Sequence, residues 1–139
     1  MTAISVPADG TLNWAPPLRQ AILDINAGKM DQTETINLVA DSGVAQIIPL
    51  PSVASISRIT LTASCTLTFP AATAGRSFRL VLIQDATGSR LVTWPVSILK
   101  WVGGTAPVLS TGVGKIDYLW FVCTDGTNWA GFTTGLDVR

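Results

Sequence analysis

Three short stretches carry residue types that do chemistry in other proteins. The first is "VADSG" (Val39–Gly43), whose Asp41-Ser42-Gly43 is the triplet of retroviral-type aspartic proteases, where two carboxylates share a proton. A homodimer would supply the second carboxylate. The following "VAQIIP" is ordinary strand, however, and Asp-Ser-Gly is a common turn, so Asp41 is expected to be a turn residue. The second is "STGVGKI" (Ser110–Ile116), which has the Gly-Lys pair of a phosphate loop. That motif needs glycine five residues before Gly114 and a hydroxyl residue after Lys115, and Leu109 and Ile116 stand there. The third is "WPVSILKWVGGTAP" (Trp94–Pro107), with two of the chain's 5 tryptophans and Lys100 as its one charge.

Tryptophan faces stack on sugar rings when exposed and fill cores when not. Trp94 and Trp120 stand at apolar positions of strand-like segments, which favours core or inter-subunit packing. Trp101, just before Val102-Gly103-Gly104, is the candidate exposed binding aromatic. The sequence contains 0 histidines, which excludes Ser-His-Asp and Cys-His arrangements. Glu34 is the sole glutamate, and Asp85, Asp117 and Asp125 fall in or near turns and strands, so a glycosidase pair has no basis in spacing. No residue is assigned as catalytic, cofactor-binding or metal-ligating, and the chain reads as a non-enzyme.

The 139 residues suit one domain with a short appendage. Nine basic and nine acidic side chains balance to a net charge of +0, without the basic stripe that nucleic-acid binding needs. No apolar run approaches the roughly 20 residues of a membrane span. "MTAISVPADG" has neither the basic region nor the apolar core of a signal peptide, so assembly in a cytoplasm is expected. Cys65 and Cys123 stand alone in strand-like segments, without a CxxC, and are expected to be buried free thiols rather than a disulfide or zinc ligands.

The elements that must position these residues change character at Gly28. In "NWAPPLRQAILDINAG", Leu18, Ala21, Ile22 and Ile25 recur at helical spacing, Pro16 and Pro17 suit a first turn, and Gly28 suits a helix end. A helix of about ten residues is unstable alone in water, so its stripe must dock on something. We therefore divide the chain into a docking arm and helix over 1–28 and a β-domain over 29–139. The candidate particle-docking residues are Trp14, Pro16, Pro17, Leu18, Ile22 and Ile25.

Beyond Gly28 the period is two. In "ITLTASCTLTF", Ile59, Leu61, Ala63, Cys65, Leu67 and Phe69 alternate with a threonine-rich face. The phase never slips, which predicts one long strand, or two joined by a bend or three-residue loop, ended by Pro70. "SFRLVLIQ" (Ser77–Gln84) and "KIDYLWFVC" (Lys115–Cys123) are apolar on both faces and read as central strands. "DATG" (Asp85–Gly88) predicts a turn that returns "RLVTW" as the hairpin partner of Ser77–Gln84, and Asp125-Gly126 predicts a tight hairpin into "NWAGF". The expected fold is all-β: an antiparallel β-sandwich or small barrel knob after a short N-terminal arm and helix.

Ile83–Phe132 resembles a β-domain found near the C-termini of tailed-bacteriophage fibre and virion-surface proteins. The resemblance lies in the "QDATG" turn, a strand ending Trp-Pro, Trp followed by Gly-Gly-Thr-x-Pro, a Lys-x-Asp strand and the closing Asp-Gly-x-x-Trp-x-Gly hairpin. "GTLNWAPPLRQAILDIN" is similar to the Trp-x-x-x-Leu helix that attaches such proteins to the particle. The resemblance implies a non-enzymatic structural protein of the virion surface, homotrimeric, without cofactor, nucleic-acid or membrane partners. For want of a fibrous shaft between helix and β-domain, the expectation is a capsid decoration or cement protein bound to the major capsid protein. The alternative is a short tail fibre or baseplate receptor-binding protein that recognises host-surface glycan.

Overall fold

The computed structural model describes residues 35–49 and 55–139. The expected docking arm and helix, with Trp14, Pro16, Pro17, Leu18, Ile22 and Ile25, lies outside the described residues. Nine strands follow in order: β1 (Thr35–Val39), β2 (Ala45–Ile47), β3 (Ser55–Leu61), β4 (Cys65–Thr68), β5 (Ser77–Gln84), β6 (Val92–Thr93), β7 (Leu99–Trp101), β8 (Ile116–Val122) and β9 (Trp129–Val138). A 3-10 turn, Val102–Gly104, follows β7. They form a six-stranded sheet of order β1-β3-β5-β8-β9-β7 and a three-stranded sheet of order β2-β4-β6.

The alternating sequence of sheets gives the architecture. The chain visits the large sheet with β1, β3 and β5 and the small sheet with β2, β4 and β6, and all four of these pairings are parallel. The described residues from 35 to 93 thus make three stacked coils of a two-sheet solenoid, each coil giving one strand to each sheet. Val39 lies beside Ile59 and Ile59 beside Leu82, so an aliphatic ladder climbs the inner face of the coils. β8 then joins β5 antiparallel, β9 joins β8 antiparallel, and β7 closes the far edge parallel to β9.

The all-β expectation holds, and its strand directions need correction. The sheets are mixed, and among the described residues only the β5–β8 and β8–β9 pairs are antiparallel. The predicted hairpin between Ser77–Gln84 and Arg90–Trp94 does not form, because β5 and β6 lie in different sheets. Asp85–Gly88 turns the chain from one sheet to the other. Period-two patterning reports which face a side chain takes; it carries nothing about the direction or identity of the neighbouring strand.

"ITLTASCTLTF" is two strands joined by a bend at Thr62–Ser64. The phase survives the corner because both strands turn the same set of side chains inward. Ile59, Leu61, Cys65, Leu67 and Phe69 are all buried, while Ser64, Thr66 and Thr68 are exposed. β5 and β8 are central, as their apolar content predicts. The Asp125-Gly126 turn connects β8 to β9, with Val122 opposite Ala130. Phe78, Leu80 and Leu82 from β5, Leu119 and Phe121 from β8, and Trp129 from β9 complete the core against the small sheet. Burying each large side chain of this set contributes about 1.5–3 kcal/mol relative to leaving it in water. Cys65 and Cys123 are buried free thiols, as expected.

Candidate functional site

The seam between the sheets at their β6 and β7 edges gathers the third of the stretches singled out in the sequence. Trp94 follows β6, Pro95 stops that strand, and the amides of Ile98 and Leu99 donate to the Pro95 carbonyl at 3.3 and 3.1 Å. This reversal brings Trp101 back onto Trp94, with ring centroids 5.0 Å apart and planes at 76°. Both indoles lean on the buried Phe121, Trp101 at 5.6 Å and Trp94 at 6.2 Å. Phe69 adds a further edge contact to Trp94 at 6.3 Å. Edge-to-face pairs bring the positive rim of one ring to the negative face of another, which fixes the rings' orientation beyond what area burial does.

Trp101 takes its place because position 131 is glycine. A Cβ there would stand 2.8 Å from the Trp101 ring and 3.0 Å from Phe121. Sequence reasoning marked this glycine only as the end of the Asp-Gly-x-x-Trp-x-Gly run. The pairing of Leu99 with Trp129 and of Trp101 with Gly131 is a tertiary fact, made by two segments about thirty residues apart. Gly103 and Gly104 have φ of +77° and +78°, the left-handed conformation their sequence suggests.

The outer side of this aromatic pair is open. A cleft of about 530 Å3 is lined by Thr93, Trp94, Val96, Lys100, Trp101 and Ala106, among others. Trp94 and Trp101 are partly exposed in it, and Lys100 is exposed. Trp101, the predicted exposed aromatic, is therefore half-buried: one part packs on Phe121 and Gly131 and the rest lines the cleft. Trp129 is fully buried, and its indole N–H donates to the Pro70 carbonyl at 3.0 Å. Trp120 is 37% exposed on the opposite face of the large sheet, where it meets Phe132 at 5.2 Å.

Of the described carboxylates, Asp41, Asp85 and Asp125 hold turns and Asp117 and Asp137 lie in strands. Asp41 accepts from the Thr62 hydroxyl and, at 2.9 Å, from the Gly43 amide, and these two bonds lower its pKa. Asp85 accepts from the Thr87 and Gly88 amides and pairs with Arg90 at 2.8 Å; the Arg90 bond is the main reason its carboxyl stays ionised below the usual range. Asp125 accepts from the Asn128 and Thr127 amides, both at 2.7 Å, which pull its pKa down to about 2. Asp117 is buried and is met by the Ser110 amide and hydroxyl, both at 2.7 Å, and by the Asp137 amide at 3.0 Å. Asp137 itself binds Lys115 and Arg139, which lower its pKa. No group of three or more histidine, cysteine or acidic side chains among the described residues is placed to hold a metal ion. The arrangement at the seam is suited to binding: two indoles, a hydroxyl and one ammonium around an open cleft.

No curated protein and no solved structure matches this chain. The profile of the family described as "Putative phage tail fibre C-terminal domain" matches residues 39–112, just over half of the 139. The match begins at Val39, the last residue of β1, runs on through the coils, takes in the whole cleft and stops before β8. It covers the first part of the resemblance seen over Ile83–Phe132 and the upstream segment from Ile59 that follows the same pattern, and it leaves the closing hairpin outside. On this match the chain belongs to the phage tail fibre C-terminal domain family.

Proposed function

We propose that this chain is a short tail-fibre or baseplate receptor-binding protein, non-enzymatic, that recognises host-surface glycan. The observation that carries the reading is the family match over coils and cleft together. It supports a virion-associated, fibre-like protein, and it favours the tail over the capsid decoration role that the sequence alone suggested. The aromatic cleft supplies a surface fitted to recognition. We also propose that residues 1–28 attach the protein to the tail, on their sequence pattern alone.

The homotrimer belongs to the same reading. The outer face of the large sheet carries Ile36 and Leu38, 55% and 69% exposed, together with Tyr118 and Trp120. Such a face suits a self-association surface. Light scattering on the full chain should give three times the 14.6 kDa chain mass, and Trp120→Lys should lower that mass without unfolding the protein. A monomer at micromolar concentration would remove the trimer.

Immunogold labelling of the phage that encodes this chain tests the location. Label at the tail tip, and blocking of adsorption by the purified protein, would bear the reading out. Label spread over the capsid in hundreds of copies would overturn it in favour of decoration.

A further inference from the structure

We infer that the Trp94–Trp101 cleft is a binding site for a saccharide bearing an anionic group, with Lys100 as its charge partner. The inference rests on the receptor-binding reading above and names the ligand class at that site. Three observations support it. The first is aromatic. Trp94 and Trp101 are held by Phe121 yet remain partly exposed in the cleft. An indole pair that is already packed and still partly exposed offers apolar ring surface to the C–H groups of a sugar at little cost in ordering.

The second is polar. The cleft lies where both sheets end, since β6 is the last strand of one and β7 the last strand of the other. Edge strands present main-chain N–H and C=O groups on their unpaired side, and Thr93 adds a hydroxyl. Sugar hydroxyls, which both donate and accept, match such a mixed rim. The third is charge. Lys100 is the one ionisable side chain that lines the cleft, and it is exposed. An ammonium group recognises carboxylate or phosphate oxygen as a compact point charge.

An extended peptide fits less well. Strand addition needs a run of edge backbone, and β6 has 2 residues and β7 has 3, with Pro95 ending the first. The volume, about 530 Å3, lies in the range that holds a ligand of two or three sugar rings.

The test uses the full chain and intrinsic tryptophan fluorescence, with saturation-transfer NMR as a second readout. The probes are trigalacturonate, mannose 6-phosphate, neutral maltotriose and an extended-peptide library. At least one acidic sugar should shift the emission saturably and bind about two- to fivefold tighter than maltotriose, a difference that shrinks with added salt. Trigalacturonate as the better ligand points to uronic-acid polymers, and mannose 6-phosphate to phosphorylated glycans. Lys100→Gln should erase the preference for the acidic sugar over maltotriose. Val96→Glu, at an 82% exposed position on the cleft, should weaken the acidic sugar more than maltotriose. Neither variant removes packed surface, so a loss of binding cannot be a loss of fold. The inference is overturned if no sugar binds, if both variants bind like the parent, or if a peptide displaces the sugar with higher affinity. Adsorption blocking by the same preparation separates the two proposals. Blocking without sugar binding ends the site and keeps the tail-fibre reading, whereas no blocking and no tail label ends that reading too.

Discussion

The three coils and the C-terminal hairpin solve strand pairing in opposite ways. In the coils, neighbours are distant in sequence: Thr35 lies beside Ser55, Ser55 beside Phe78 and Cys65 beside Val92. In the hairpin, Val122 lies opposite Ala130 across one turn. The coils are held by stacked inner side chains and by carboxylates at their corners, Asp41 and Asp85. The hairpin is held at its tip by Asp125 and toward its other end by the buried Asp117. The difference teaches that two kinds of order share one core. They are joined by the antiparallel β5–β8 ladder, and beyond its end by the Gly75 amide on the Cys123 carbonyl, the Cys123 amide on the Arg76 carbonyl, both at 2.8 Å, and the Trp129 indole on Pro70.

If that stitching is effective, the two regions unfold as one. Trp129→Ala is the sharpest way to break it, since the side chain is fully buried and its N–H is bonded to the coil region. The loss should be about 3–5 kcal/mol in urea unfolding. Transitions followed by Trp fluorescence and by far-UV circular dichroism should coincide in the parent. Separate transitions in the parent would show that coils and hairpin are independent units.

Two glycines compare a coil corner with the hairpin tip. Gly88 has φ +69°, and a Cβ would stand 2.8 Å from the Thr111 carbonyl oxygen and 3.0 Å from the Val113 amide nitrogen. Gly126 has φ +75° with its nearest neighbour, the Ala74 amide nitrogen, at 3.8 Å. Gly126→Ala should cost about 1 kcal/mol, the strain of a left-handed residue alone. Gly88→Ala should cost more, about 2–3 kcal/mol, because backbone must also move. Equal urea midpoints for the two variants would show that the corner yields more easily than its contacts imply.

The smallest effect is electrostatic. Asp125 has its pKa lowered from 3.8 to about 2 by the Asn128 and Thr127 amides. A lowered folded-state pKa gives stability that is fully present above the ordinary value and lost as pH falls through the folded one. The melting temperature should therefore decline between about pH 4 and pH 2. Asp125→Asn should reduce that decline while lowering stability at pH 7. Asp41, Asp85 and Asp137 act in the same direction, so some acid sensitivity should survive in the variant. An Asp125→Asn melting curve as acid-sensitive as the parent's would exclude the tip carboxylate as a contributor.

Much of this fold was legible because burial is local in sequence. The alternation from Ile59 to Phe69 determined which side chains face inward, and it did so through a corner it did not reveal. The apolar content of Ser77–Gln84 and Lys115–Cys123 determined that these strands are central, and Asp125-Gly126 determined the β8–β9 hairpin. The pairing of Trp94 with Trp101 was half legible: proline and glycines marked a turned segment with an aromatic at each end. That they meet at 5.0 Å over Phe121 was not, because Gly131 makes the room from the far end of the chain. The tertiary structure alone decided strand direction, the partition of β5 and β6 between two sheets, and the cleft where both sheets end. Those features depend on contacts between segments twenty or more residues apart, and no local period encodes which distant strand a hydrogen-bonding edge will meet.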